Sequence, residues 1–139
     1  TKSLDLPSKS NLWDCNKAKT LVIYDSSTAN ENHLSRIPKC VEVEKVSSDN
    51  PELISKILAK RGCNKVLWEC GPRLATAAIQ SKCIQEIITF IAPKILGGEN
   101  SMNPFGDFEF EKMNEIFNLS DSQVSLIGSD ICVKSSFKN

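Results

Sequence analysis

Residues 66–98 read VLWECGPRLATAAIQSKCIQEIITFIAPKILGG, and their pattern indicates the fold class of the chain. It opens within a short apolar run, 65–69, that predicts a buried strand. A glycine and a proline then begin a helix predicted over 73–82, because its apolar residues fall on one helical face. A second apolar run, 86–91, predicts another strand. A strand, a helix and a strand in succession are typical of an α/β protein.

The flanking sequence continues this pattern on both sides. Upstream, 19–25 and 40–46 predict two strands, and an Asp-Asn-Pro-Glu start predicts a helix over 51–61 that ends before a glycine. Downstream, 114–127 and 130–137 predict an antiparallel hairpin with a Gly-Ser turn. The helices would cover a sheet built mainly from the strands between them.

Composition agrees with one α/β domain over 1–139. The chain has 139 residues, 40% of them hydrophobic and 24% charged, with 17 basic and 17 acidic side chains. A chain of this length can bury its own core, so we expect a mostly parallel sheet flanked by helices, with a C-terminal antiparallel hairpin. The balanced charge favours neither nucleic acid nor a membrane surface. No apolar run reaches the roughly 20 residues that span a bilayer, so we expect neither partner.

The cysteines bear on metal binding and location. They are Cys15, Cys40, Cys63, Cys70, Cys83 and Cys132. None forms a C-x-x-C pair and the single histidine is remote in sequence from any clustered thiol, so we expect no metal site. Most of them lie inside or beside apolar segments, where a reduced thiol packs as a small hydrophobe. We therefore expect reduced thiols and a cytoplasmic protein.

The turn between the strand at 65–69 and the following helix is where we expect a ligand. Ligands of α/β sheets bind beyond the carboxyl ends of strands, near helix N-termini. Gly71 lets an anion approach the backbone, and Pro72 leaves the next two amides pointing outward as donors. Arg73 adds a cation. The turn thus predicts a pyrophosphate site, although Gly-Pro is also a common way to pass from strand to helix.

The whole chain resembles the reductase domain of the bifunctional riboflavin-biosynthesis deaminase/reductase family. The resemblance rests on Glu-Cys-Gly-Pro, the Leu-Ala helix and APKILGG at 92–98, and it extends to TKSLDLPSKSNLWD at the start and SDICVKSSF at the end. It implies a dihydrofolate-reductase-like fold, NADPH as cofactor, a small-molecule substrate and a homodimer. The implied reaction is reduction of the ribose of 5-amino-6-(5-phosphoribosylamino)uracil to ribitol.

Site residues carry over from the resemblance by position. Glu69 matches the glutamate that contacts substrate. Lys2 and Ser3 match the turn that holds the adenosine 2′-phosphate, which favours NADPH over NADH; a solvated chain end is the alternative interpretation. The resemblance assigns the cofactor diphosphate to Gly71, Pro72, Arg73, Leu74, Ala75, Thr76 and Ala77. It identifies no catalytic acid in this chain.

The chain also departs from the family pattern. Cys70 stands where the family commonly has glycine, and we interpret it as a buried thiol at a strand end. The family domain is longer, so we expect a C-terminal portion that holds mainly the cofactor-binding half. The H-x-E signature of the deaminase is absent, since Leu34 and Ser35 follow His33. Two alternatives stay open: a non-catalytic nucleotide-binding or dimerisation module of the same fold, and a pteridine reductase of the dihydrofolate type.

Overall fold

The chain divides into two compact units, Thr1–Asn64 and Lys65–Asn139. A computed structural model describes residues 1–98, 101 and 103–138. In chain order the strands and α-helices are β1 Leu21–Asp25, β2 Glu42–Val46, α1 Pro51–Lys60, α2 Pro72–Gln80, β3 Glu86–Ile91, β4 Leu119–Ile127 and β5 Asp130–Phe137. Three short 3-10 helices are Asn11–Trp13, Glu31–Arg36 and Met113–Glu115. The single domain expected over 1–139 stays a prediction.

The N-terminal unit is built on a parallel pair of strands. Strand β1 pairs with β2 in register from Leu21 opposite Glu42 to Asp25 opposite Val46. The core of the unit consists of Leu4, Val22, Tyr24 and Val41. Alternate residues of β1 supply two of these side chains, as the period of a strand requires. Both strands agree with the apolar runs in the sequence.

Helix α1 begins after the predicted cap residue and ends shortly before the predicted glycine. The Asn50 side chain accepts a hydrogen bond of 2.8 Å from the Glu52 amide, and Pro51 is the first helical residue. After the helix, Gly62 adopts a φ of 86°, a conformation that glycine tolerates best. In the described part of the chain, no helix is both long enough and apolar enough to cross a bilayer.

A disulfide joins Cys15 to Cys40, which corrects the expectation that every cysteine is reduced. The two residues are 25 apart in sequence, and their Cα atoms lie 6.3 Å apart, a separation that a disulfide readily spans. The chain passes through β1 and a 3-10 helix between them, so only the fold brings them together. The free thiols are Cys63, Cys70, Cys83 and Cys132.

The C-terminal unit contains an antiparallel sheet in the order β3-β5-β4. Strands β4 and β5 form the predicted hairpin, turning at Gly128, which has a φ of 64°. Strand β3 runs antiparallel to β5, so parallel pairing among the described strands is confined to β1 and β2. The α/β class and the C-terminal hairpin are confirmed.

The buried strand predicted over 65–69 is wrong. These residues belong to no sheet of the described chain, and Leu67 is 81% exposed. An apolar run makes a strand only where a neighbouring strand takes up its backbone hydrogen bonds. Here the segment is an irregular, exposed lead into α2.

Candidate functional site

The first turn of α2 is open to an incoming anion. Gly71, the residue before the helix, has an extended backbone, and no side chain caps the helix start. A Cβ atom built on Gly71 would meet nothing within 4 Å. The first helical hydrogen bond runs 3.0 Å from the Ala75 amide to the Gly71 carbonyl. The amides of Arg73 and Leu74 therefore precede the first intrahelical bond, at the positive end of the helix dipole.

The side chains of this turn differ in exposure. Arg73 is exposed and can place its guanidinium beside the open amides, whereas Pro72, Ala75 and Ala77 are half-buried. Leu74 is 36% exposed. The helix turns its opposite face inward at Ala78 and Ile79, which are both buried. Packing thus fixes the helix from behind and leaves its start accessible.

Thr76 has a structural partner. It is buried, and its Oγ1 accepts a hydrogen bond of 2.8 Å from the amide of Gly106. A Cβ atom on Gly106 would lie 3.4 Å from that oxygen, so the loop approaches the helix closely. A hydroxyl keeps one hydrogen to donate elsewhere. The cofactor contact expected from Thr76 stays a prediction. The structure shows that Thr76 also holds the loop that contains Gly106.

Aromatic side chains hold this loop against the helix. Phe105 and Phe108, on either side of Gly106, have ring centroids 6.1 Å apart, and Phe108 stacks on Phe110 at 5.3 Å. Phe105, Phe108 and Ile79 of α2 border an apolar cavity of about 150 Å³. Its lining is completed by Ile87, Phe117, Leu119 and Phe137. This cluster was not among the predicted site residues, although the closely spaced phenylalanines at 105, 108 and 110 are a visible signal in the sequence.

Glu69 and Cys70 lie in the exposed lead into α2. The Glu69 side chain is exposed, while Trp68 is half-buried. Cys70 is also half-buried, and burial raises the pKa of its thiol, which keeps it protonated at neutral pH. Its Sγ lies 3.9 Å from the Trp68 carbonyl oxygen. This arrangement agrees with a packing role for Cys70 and leaves the Glu69 carboxylate accessible to a ligand.

In the N-terminal unit, Lys2 and Ser3 lie in the segment before Leu4. The ammonium of Lys2 forms an ion pair with Asp49, at 2.9 Å between Nζ and Oδ2. The Lys2 carbonyl accepts a hydrogen bond of 3.0 Å from the Thr28 hydroxyl. Ser3 Oγ accepts one of 3.2 Å from the Asp5 amide. Both predicted phosphate ligands are therefore positioned by contacts within this unit.

Asp25 ends strand β1 and is buried. Its Oδ1 accepts hydrogen bonds from the hydroxyl and the amide of Ser27, at 2.7 and 2.9 Å. These two bonds, more than the charge of Lys2, hold the pKa of the Asp25 carboxyl below its ordinary value. Asp25 is therefore an anion near Lys2 at neutral pH.

A second cavity, of about 250 Å³, lies within the N-terminal unit. Its lining consists of Leu4, Asp5, Leu6, Pro7, Ser8, Trp13, His33, Arg36 and Ile37. Trp13 donates its indole N–H to the Pro7 carbonyl at 2.8 Å. Nδ1 of His33 is buried and has no hydrogen-bond partner among the described residues. Within 1–98, 101 and 103–138, no three His, Cys, Asp or Glu side chains converge to hold a metal ion.

Two named proteins show how this chain relates to longer ones. It is 37% identical over 133 residues to the riboflavin biosynthesis protein PYRR, chloroplastic, of Arabidopsis thaliana, which covers 96% of the chain and 22% of that protein. It is 41% identical over 132 residues to the riboflavin biosynthesis protein RibD of a Synechocystis strain, which covers 94% of the chain and 35% of that protein. The chain thus spans between a fifth and about a third of the length of these relatives.

Solved structures share the fold. A structure of RibD from Acinetobacter baumannii has a TM-score of 0.72 at 21% identity, covering 97% of this chain and 35% of that one. A pyrimidine reductase-like protein from Corynebacterium diphtheriae gives 0.76 at 21% identity, covering 100% and 59%. These matches confirm the dihydrofolate-reductase-like fold. The family model described as the RibD C-terminal domain matches residues 1–133, and the chain belongs to that family.

Proposed function

We propose that this chain forms the cofactor-binding half of an NADPH-dependent reductase of riboflavin biosynthesis. The whole protein would reduce the ribose of 5-amino-6-(5-phosphoribosylamino)uracil to ribitol. The observation that carries the proposal is the open start of α2 at Gly71, inside the sequence that the RibD C-terminal domain family matches. A helix start whose first amides have no intrahelical partner is a ready site for a dinucleotide pyrophosphate.

The residues of this turn fit a diphosphate. The amides of Arg73 and Leu74 are donors, the Arg73 guanidinium supplies a charge-assisted contact, and the bare backbone at Gly71 lets phosphate oxygens come close. When bound, the nicotinamide cofactor supplies the hydride. The chain's own contribution is to bind and orient it, and orientation of the reacting groups is itself a large part of catalysis.

Glu69 is the proposed substrate ligand. Its exposed carboxylate lies two residues before Gly71, at the approach to the diphosphate site. A carboxylate accepts hydrogen bonds from sugar hydroxyls or from an exocyclic amine, and the proposed substrate carries both. Substrate and cofactor would then be bound next to each other by one short segment.

Selectivity for NADPH is proposed for Lys2 and Ser3. An ammonium and a hydroxyl are suitable partners for the 2′-phosphate that distinguishes NADPH from NADH. In the structure the Lys2 ammonium is paired with Asp49 and the Ser3 oxygen accepts from the Asp5 amide. Phosphate binding would therefore exchange the ion pair of Lys2 for a new one.

A homodimer is the proposed state, and its proposed location is the cytoplasm, although the Cys15–Cys40 disulfide removes the support that reduced thiols gave to that location. One face of the antiparallel sheet exposes large apolar side chains, including Ile91 at 49%, Val124 at 69% and Leu126 at 73%. Apolar side chains that are exposed next to each other often mark a protein interface. Sedimentation at several chain concentrations tests the dimer: a single monomeric species throughout contradicts it.

The function is tested by titrating the chain with NADPH and following nucleotide fluorescence. Gly71→Val is expected to weaken binding at least tenfold, because its branched side chain would stand where the diphosphate approaches, while the open surroundings leave the fold intact. Gln80→Val, at the exposed far end of α2, is the matched control and should bind as the wild type does.

The outcomes separate the alternatives. Saturable binding that falls in Gly71→Val but not in Gln80→Val supports the proposed site. A folded chain that binds no nucleotide contradicts it and favours the dimerisation module. Turnover assays of the whole protein with the pyrimidine and with dihydrofolate then decide between the two reductase activities.

A further inference from the structure

The Lys2–Asp49 ion pair stands at the carboxyl ends of the two parallel strands. The backbone beside Lys2 is fixed to β1, because the Asp25 amide donates to the Thr1 carbonyl at 3.2 Å. Asp49 lies three residues beyond Val46, where β2 ends, and directly before the capping Asn50 of α1. Nζ and Oδ2 are 2.9 Å apart, and the two side chains are 62% and 48% exposed. The pair is therefore accessible to a ligand.

The charge of Lys2 also acts on a second carboxylate. Asp25 is buried at the end of β1 and feels the charge of Lys2, which contributes to the low pKa of its carboxyl after the Ser27 hydrogen bonds. Asp25 and Asp49 thus both feel the charge of the Lys2 ammonium, and both also feel that of the Thr1 terminal ammonium.

We infer that Asp49 determines cofactor specificity, by holding Lys2 in an ion pair and so restraining the preference for a 2′-phosphate. The inference rests on the proposed function and adds a residue to it. A phosphate that approaches Lys2 has to displace the Asp49 carboxylate and is repelled by it. A ribose 2′-hydroxyl is not repelled, and it can donate a hydrogen bond to a carboxylate. Asp49 therefore acts against NADPH and not against NADH.

Removal of this charge gives a direct test. In Asp49→Asn the affinity for NADPH is expected to rise about fivefold, the size of effect that an exposed ion pair can have, while the affinity for NADH does not rise. The gain should shrink as salt is added, since screening weakens contacts between exposed charges. Dissociation constants for both nucleotides, measured by fluorescence titration of the chain, give the readout.

Two further variants make the test specific. In Lys2→Met the affinity for NADPH should fall, and adding Asp49→Asn to it should no longer produce a gain, because the lysine that the change releases is gone. Asp14→Asn is the control for net charge: Asp14 forms a similar exposed pair with Lys17, at 3.2 Å, in the same unit. It should leave the ratio of the two affinities unchanged.

The possible results distinguish this inference from the proposed function. A gain for NADPH in Asp49→Asn alone supports it. An equal gain for NADH, no gain, or the same gain in Asp14→Asn overturns it while leaving the cofactor site at Gly71 in place. If neither nucleotide binds any form of the chain, or if Gly71→Val binds as the wild type does, the proposed function fails and the inference fails with it.

Discussion

Thr76 Oγ1 lies 2.8 Å from the amide nitrogen of Gly106, a residue 30 positions further along the chain. The hydrogen bond fastens a loop to the first two turns of the helix whose start we propose as the diphosphate site. Thr76 is buried and Gly106 is half-buried, so the bond is partly shielded from water. The shape of this site therefore depends on a contact with a loop distant in sequence.

Thr76→Val should lower the free energy of unfolding of the C-terminal unit. The change keeps the shape of the side chain but leaves the Gly106 amide without its acceptor, a loss of about 1–3 kcal/mol. Thr76→Ser, which keeps the hydroxyl, is expected to recover most of the difference. Urea denaturation followed by circular dichroism measures both variants. Equal stability in Thr76→Val and the wild type would contradict the role of this bond.

Opening the Cys15–Cys40 disulfide should destabilise the N-terminal unit. The bond closes a loop across a sequence separation of 25, for which chain entropy gives about 3 kcal/mol. Under non-reducing conditions, the Cys40→Ser variant should therefore unfold at a lower urea concentration than the wild type. Cys63→Ser, which removes an exposed free thiol, serves as the control. Four reactive thiols in the unfolded, unreduced wild type, against six after reduction, would verify the pairing; six without reductant would contradict it.

Asp25 should make the free energy of unfolding of the N-terminal unit decrease in acid. Its carboxyl has a lowered pKa, caused first by the Ser27 hydroxyl and amide. The stabilisation is complete above the ordinary carboxyl pKa of about 4 and is lost as the pH falls through the lower pKa of the folded state. Ser27→Ala should raise that pKa and destabilise the unit more at neutral pH than in acid.

An NMR titration of the Asp25 carboxyl, with unfolding measured at about pH 7 and about pH 3, covers that range. Ser35→Ala, which removes an exposed hydroxyl bonded to the Asn32 carbonyl, should leave the Asp25 pKa unchanged. A Ser27→Ala variant whose stability falls by the same amount at both pH values would show that the hydroxyl does not act through this carboxylate.

Gly62→Ala should destabilise the chain by about 1 kcal/mol, because alanine is strained at positive φ. The φ of Gly62 is 86°, and a Cβ there would meet nothing within 4 Å, so the backbone alone is responsible. Gly71→Ala offers the contrast: its φ is −74°, which alanine adopts freely, and its stability should stay equal or rise slightly. Thermal unfolding of the two variants compares them directly. Equal effects would refute the backbone explanation.

Local signals made the helices and the hairpin predictable. The capping side chain of Asn50 and the proline after it specify the start of α1 within a few residues, so no distant contact is needed. The strand β3 was predicted with its observed bounds, 86–91. The Gly128-Ser129 turn fixes the hairpin in the same local way. For the start of α2, Gly71 and Pro72 were sufficient.

Contacts between distant residues were not predictable from one sequence. The run at 65–69 has the composition of a strand, but composition does not say whether a partner strand is available. Nothing in the spacing of six cysteines selects Cys15 and Cys40, which the fold between them brings together. The Thr76–Gly106 bond and the Lys2–Asp49 pair likewise join segments far apart in sequence. The helix that carries most of the candidate residues was therefore predictable, and the partners that position those residues were not.

The two tryptophans fall one in each compact unit, Trp13 in the first and Trp68 in the second, and both are half-buried. Each unit thus carries its own intrinsic fluorophore. In Trp68→Phe the remaining emission reports on 1–64, and in Trp13→Phe it reports on the rest. Coincident emission transitions from these two variants would indicate one cooperative folding unit, whereas separate midpoints would indicate two.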